Sequence, residues 1–270
     1  MLPYFRYFFA PPRDLILTVA AAWIGMSLAE KRAARFNVAP GTLNNLIFFM
    51  LAAYVVAGRI FFIAAHLSAF SRTPADLISF NVSLFDALAA LASAVLAGLA
   101  YGQRRKLSLW PTLDAVTPFL ASLAVGLGFS HLASGQAFGR ETDLPWAITL
   151  WGSPRHPTQV YEIVAALLIL CLVWFGRTEL LPGQTFVLFA SISAASRLLL
   201  EAFRADSTLV FGGLRAAQII AWIILAVALV LYDRLERRSK PLPAIPVTKP
   251  RRKSERPKPG LKKLKSRVKR

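Results

Sequence analysis

Long, sparsely charged apolar runs alternate with short polar connections along most of the chain. The runs lie at residues 15–29, 43–66, 84–101, 113–132, 160–176, 184–200 and 214–232. Each approaches the ~20 residues that a helix needs to cross a ~30 Å hydrocarbon core. The pattern therefore predicts an all-α, polytopic membrane protein with about seven transmembrane helices. The first run is short and the sixth is rich in Ser and Ala, so these two carry the weakest apolar signal.

Composition agrees, since 56% of the 270 residues are apolar, too many for a soluble domain of this size unless they are gathered into spans. Cys171, the only cysteine, falls inside the fifth run. That leaves no intrachain disulfide and no cysteine-based metal site. The start, MLPYFRYFFAPPRD, has no small-residue cleavage site behind a short apolar core, so the first run is expected to be a retained helix.

Charge is concentrated at the end of the chain. From Arg234 onward, sixteen Lys and Arg stand against Glu236 and Glu255, which accounts for fourteen of the eighteen net positive charges. This stretch is Pro-rich and has no apolar period, so it cannot bury enough surface to offset its ordering entropy. The division expected is a membrane domain over 1–235 and a disordered basic tail over 236–270, attracted to anionic membrane surfaces. No folded or aromatic element accompanies the charge, and no nucleic-acid partner is expected.

The short loops fix an orientation. Lys31, Arg32, Arg35, Arg104, Arg105, Lys106, Arg177 and the basic tail all follow odd-numbered runs, which puts those exits in the cytoplasm and the N-terminus outside. The outer connections are then 67–83, 133–158 and 201–213, and they hold the densest polar motifs.

Three such motifs carry candidate chemistry. In RHPTQVYE (155–162) Pro157 suits a first helical turn, and Gln159 is placed to reach back to that turn's free N–H groups. Arg155 and His156 would serve equally as interfacial anchors. Glu162, one turn inside an apolar helix, costs too much unless it is paired or faces a wet cavity. In SRLLLEAFRADS (196–207) Arg197 and Glu201 are four apart and Glu201 and Arg204 three apart, so all three share a face. Such a trio is either a self-neutralised ion-pair network or, with two arginines to one glutamate, a phosphate site. The connection SHLASGQAFGRETDLPWAI (130–148) is longer than a simple link and carries His131, Gln136, Arg140, Glu141 and Asp143. Its Trp146 fits an interfacial belt.

Taken in order, AGRIFF (57–62), LDAVTPFLASLAVGLG (113–128), SGQAFGRETDLPWAI (134–148), RHPTQVYE, SRLLLEAFRADS and Gln218 resemble the prolipoprotein diacylglyceryl transferase family across most of residues 15–235. The resemblance implies transfer of a diacylglyceryl group from phosphatidylglycerol to a lipobox cysteine thiol of a prolipoprotein, at the outer face of the bacterial cytoplasmic membrane. Phosphatidylglycerol and prolipoprotein signal peptides would be the partners, and neither cofactor nor metal is called for. His131, His156, Glu162 and Glu201 are the groups that would move or orient the proton. Arg140, Arg197 and Arg204 are the forked donors suited to phosphate.

The chain also departs from the family pattern. Where the family carries a histidine followed by two glycines at the start of its third span, this sequence has Asp86, Ala87 and Leu88. Gly128 stands where a signature arginine would fall, His131 near an asparagine and Gln136 in place of a glutamate. A catalytically inactive relative that binds phospholipid or lipoprotein precursors is the alternative these departures raise. A small transporter fits less well, because the chain shows no internal repeat and no pair of broken helices.

Overall fold

The computed structural model describes residues 13–36, 38–70, 85–176, 181–210 and 212–239. Among them seven long helices follow one another: α1 Arg13–Ala33, α2 Thr42–Ala65, α3 Ala87–Arg104, α4 Leu109–Ser134, α5 Thr158–Phe175, α6 Gln184–Glu201 and α7 Ala216–Ser239. Each covers one of the apolar runs. Four of them, α2, α4, α5 and α7, are long and apolar enough to cross a membrane by length and composition. The other three are diluted: α1 ends in Glu30, Lys31 and Arg32, α3 is 18 residues rich in Ala and Gly, and α6 carries three serines, Arg197 and Glu201. The tail beyond Ser239 lies outside the described residues.

The all-α expectation needs a small correction, because the described residues also form two short hairpins. Strands β1 (Ile148–Leu150) and β2 (Ser153–Arg155) pair antiparallel with Ile148 opposite Arg155. Their two-residue link, Trp151 and Gly152, has φ of 54° and 81°, the paired positive values of the tightest hairpin turn. Strands β3 (Leu209–Val210) and β4 (Leu214–Arg215) pair likewise before α7.

Burial follows membrane logic. Ala29, Ala90, Ala115 and Ala121 are fully buried, whereas Trp23, Leu88, Phe175 and Trp222 lie outward, as expected where lipid rather than water surrounds the bundle and small residues let helices approach. A Cβ added to Gly126 would stand 2.1 Å from that of Ala21, and one on Gly25 would stand 3.0 Å from the Phe119 backbone. Ser122 Oγ donates to the Ala21 carbonyl at 3.0 Å across the same seam. The main apolar core joins α1, α2 and α4 through residues such as Ala33, Leu43, Ile47, Val116 and Phe119. Val187 and Ala228 anchor a smaller one between α6 and α7.

Two polar pins fasten one end of the bundle. Asp114 of α4 is buried and accepts from the backbone N–H groups of Gly183 and Phe186. It thereby caps α6, whose own N-cap residue is a glycine with φ of 95°. At the same end, Arg32 of α1 donates to the Val173 and Trp174 carbonyls in the last turn of α5, and so stabilises that helix's negative pole. The polar motifs of the sequence gather at the other end.

Candidate active site

The site starts from a close approach of two helices. A Cβ at Gly128 on α4 would stand 2.8 Å from Ile163 Cγ1 and 3.3 Å from the Ile163 nitrogen on α5. Glycine thus sets the spacing between α4 and α5. His131 follows Gly128 by three residues, and Glu162 immediately precedes Ile163, so the same approach brings them together. The His131 Nδ1 to Glu162 Oε2 distance is 2.9 Å.

Glu162 is the hub. Its other oxygen, Oε1, accepts from Arg197 Nη1 and from Arg204 Nη1, each at 2.9 Å. One carboxylate, 13% exposed, therefore ties α4, α5, the last turns of α6 and the segment beyond it. The cost of placing a carboxylate inside an apolar helix is offset by three charged or chargeable partners.

Around the hub the i,i+4 and i,i+3 pairs form as the spacing predicts. Arg197 Nε stands 3.2 Å from Glu201 Oε2, an ion pair without hydrogen-bond alignment, since that oxygen is buried with no hydrogen-bond partner among the described residues. Arg204 Nε is 4.0 Å from the same oxygen. Arg204 turns its fork instead to Asp206, with Nε to Oδ1 and Nη2 to Oδ2 both at 3.0 Å. Burial alone disfavours the Arg204 charge, but the bonds to Asp206 and the charges of Asp206, Glu162 and Glu201 outweigh it. Together they hold the guanidinium above its ordinary value.

Two members were not foreseen. Asp206 lies inside the quoted motif but carried no periodic signal. Arg215, at the end of β4, donates to the Glu201 carbonyl and, at 3.2 Å, to Ser207 Oγ. With Asp206 and Arg215 included, three guanidiniums face three carboxylates. The surplus cation suggested by two arginines and one glutamate is matched within the cluster itself.

The long connection is folded over the cluster by backbone pairing. Arg140 N donates to the Phe203 carbonyl at 2.8 Å, its own carbonyl accepts from His156 N at 2.9 Å, and Ala205 N donates to Phe138 O at 3.0 Å. Gly139 is required between them, because a Cβ there would meet the His156 carbonyl oxygen at 2.3 Å. Arg155 fastens the loop from outside, donating to the Leu150 and Gly139 carbonyls and to Glu141 Oε1 at 3.1–3.3 Å. The Arg140 side chain is exposed and makes no ion pair among the described residues.

His156 sits apart from the carboxylates. Its ring packs against Phe203 at 5.2 Å and Tyr161 at 6.3 Å, and its Nδ1 is buried without a hydrogen-bond partner among the described residues. Gln159 does not reach back to its own helix turn; Nε2 donates to the Gln136 carbonyl at 2.8 Å, while Thr158 Oγ1 donates to that of Ala137. Pro157 is the residue just before α5 rather than its first turn. Trp146 is exposed, as an interfacial residue would be, and its Nε1 donates to Tyr161 OH at 2.8 Å. Asp86 caps α3, accepting from Ala89 N at 2.9 Å.

No group of three or more His, Cys, Asp or Glu able to hold a metal occurs among the described residues. The arrangement joins an imidazole, fixed at one nitrogen by a carboxylate, to a dense array of guanidiniums. Such a pairing suits proton removal beside a phosphate.

Known proteins match this scaffold over nearly its whole length. The chain is 28% identical over 248 residues to the phosphatidylglycerol–prolipoprotein diacylglyceryl transferase of Nostoc sp., covering 85% of this chain and 87% of that protein. It is 25% identical over 227 residues to the protein of the same name from Clostridioides difficile, covering 83% and 91%. It is 28% identical over 233 residues to that of Synechococcus elongatus, covering 78% of each. The profile of the prolipoprotein diacylglyceryl transferase family matches residues 15–233, and the chain, a multi-pass membrane protein, belongs to that family.

Proposed function

We propose that the protein transfers a diacylglyceryl group from phosphatidylglycerol to the thiol of a lipobox cysteine in a prolipoprotein, at the outer face of the bacterial cytoplasmic membrane. In this reaction the thiol sulfur attacks the glyceryl carbon that bears the phosphate ester. The carbon–oxygen bond breaks, a thioether forms and glycerol phosphate leaves. The thiol proton needs an acceptor, and the leaving phosphate needs fixed cations.

The His131–Glu162 pair carries this reading. With Nδ1 held at 2.9 Å by Glu162, the imidazole keeps its proton there and leaves Nε2 as the basic nitrogen. Arg197, with its side chain 38% exposed, retains an Nη2 that no acceptor uses among the described residues, and the exposed Arg140 makes no ion pair among them. These two are the donors we assign to phosphate. Arg204, committed to Asp206 and Glu162, contributes charge while holding the array. Glu201 sets the Arg197 guanidinium, and His156 walls the entrance with Tyr161 and Phe203.

In the same reading all seven helices span the membrane, the N-terminus lies outside, and the signal peptide reaches the site from the bilayer. Residues 236–270 form a basic cytoplasmic tail drawn to anionic lipid. The second reading, an inactive relative that only binds phospholipid or precursor, is favoured by one observation: Asp86, at the family's histidine position, is engaged as a helix cap. Membranes bearing the protein, supplied with labelled phosphatidylglycerol and a lipobox peptide, decide between them. Thioether product with equimolar glycerol phosphate supports transfer; lipid or peptide binding without either product establishes the inactive relative.

A further inference from the structure

The end of the bundle away from His131 encloses a cavity of about 460 Å³. That is more than ten times the ~30 Å³ share of a single water and within the range of ligand pockets. It lies where α1 and α5 end and α6 begins, and its wall changes character along its length.

Two arginines, Arg32 and Arg35, line it. They are three residues apart and so share a face. Arg32 is buried, stacks on Trp174 at 4.6 Å and gives its donors to the Val173 and Trp174 carbonyls, which are neutral partners. Arg35 is exposed and has no carboxylate partner among the described residues. The carboxylate that lines the cavity, Asp114, has both oxygens taken by the backbone of Gly183 and Phe186. The described lining therefore carries two cations against one anion already occupied. Beyond this polar end the wall is apolar: Ile169 and Leu172 on α5, Leu188 and Ile192 on α6. Ile192 lies seven residues along α6 from the lining Thr185, a depth of about 10 Å at 1.5 Å per residue.

We propose that this cavity binds one anionic phospholipid, its phosphate against Arg35 and one acyl chain along the Ile169–Leu188–Ile192 wall. A phosphate supplies the counter-charge that the lining lacks, and a charge-assisted contact to a guanidinium is short and strong. An acyl chain fills apolar volume that water would fill poorly. The site is separate from the Glu162 cluster and does not depend on transferase activity.

The test uses the full chain in detergent with dioleoyl phosphatidic acid, dioleoyl phosphatidylcholine or inorganic phosphate. Bound lipid is counted by native mass spectrometry, and the thermal midpoint is followed. One phosphatidic acid should bind at least tenfold more tightly than phosphatidylcholine. Arg35→Gln, an exposed change, should weaken it at least fivefold, and Leu188→Trp should do the same by narrowing the wall. Lys31→Gln, an exposed basic residue at the same end that does not line the cavity, should leave it unchanged. Unaltered binding in both Arg35→Gln and Leu188→Trp overturns the proposal. So does stabilisation by inorganic phosphate equal to that by the lipid, which would mark a free-phosphate site, or a loss of binding in Lys31→Gln equal to that in Arg35→Gln.

Discussion

If His131 takes the thiol proton and Glu162 only orients it, the two side chains must be strongly coupled in turnover, whereas stability rests chiefly on the two arginine contacts of Glu162. Consider His131→Ala, Glu162→Gln and the double variant. A positioned general base contributes roughly 10²–10⁴-fold, so His131→Ala should lower the transfer rate by about that factor, or about 3–5 kcal/mol at 1.36 kcal/mol per decade. Glu162→Gln keeps the shape and one acceptor oxygen but turns three charge-assisted contacts at 2.9 Å into weaker ones, and about 10–100-fold is expected from the loss of one such hydrogen bond to the base. Without the imidazole there is nothing to orient. The double variant should therefore be no slower than His131→Ala within about threefold, a coupling of roughly 1.5–3 kcal/mol. Stability should follow a different rule. Removing one partner of a buried pair costs about 3–5 kcal/mol. Here Glu201 and Asp206 remain beside the arginines, so about 2–3 kcal/mol is expected for Glu162→Gln, and roughly 4–12 °C in detergent at 2–4 °C per kcal/mol. That loss should persist in the double variant. The assay is thioether formation with labelled phosphatidylglycerol beside a thermal melt of each variant. Rates that multiply in the double variant would refute the orienting role, and a His131→Ala enzyme within threefold of wild type would refute the base.

Gly128→Ala places a methyl 2.8 Å from Ile163 Cγ1. It should cost about 1–3 kcal/mol of stability and lower turnover further by parting His131 from Glu162; a silent variant would show that the helix approach is not limiting. Asp114→Asn leaves one acceptor for the two N–H groups of α6 and should lower the thermal midpoint by about 1–2 kcal/mol equivalent with the Michaelis constant unchanged. In a Cys171→Ala background, cysteine placed at Ser153 should react with an impermeant thiol reagent from outside intact cells and cysteine placed at Ser108 should not. The reverse pattern would invert the orientation.

The helices were legible because each is announced by its own composition: an apolar run longer than one strand, ended by Gly, Pro or charge. The shared face of Arg197, Glu201 and Arg204 was legible for the same reason, since a helix fixes which residues three and four apart meet. What the sequence did not disclose are contacts between elements. Glu162 asked for a partner, but nothing periodic names His131, 31 residues earlier, as that partner. Asp114 reads as a stray charge in an apolar run until Gly183, 69 residues later, is seen without a side-chain cap. Arg215 lies in a hairpin too short to leave a pattern. Gln159 shows the converse error: a local rule predicted a bond to its own turn, and the close packing of the 135–140 segment gave it the Gln136 carbonyl instead.

Gly128 and His131 act together in the structure. Any side chain at 128 would have to occupy the space in which Ile163 now lies 2.8 Å from where a Cβ would stand; without one α4 and α5 close, and the imidazole at 131 reaches Glu162. His131 also alters the charge of the site through the proposed reaction. With the imidazole neutral, Arg197, Arg204 and Arg215 balance Glu162, Glu201 and Asp206. When the thiol proton reaches His131 the cluster gains one positive charge, at the step in which the departing phosphate gains one negative charge. A permanently charged group at this place would attract the bound phosphodiester and the leaving phosphate alike. A base that becomes cationic only as the carbon–oxygen bond breaks favours the second over the first, and interactions that strengthen between ground state and transition state are the ones that raise turnover.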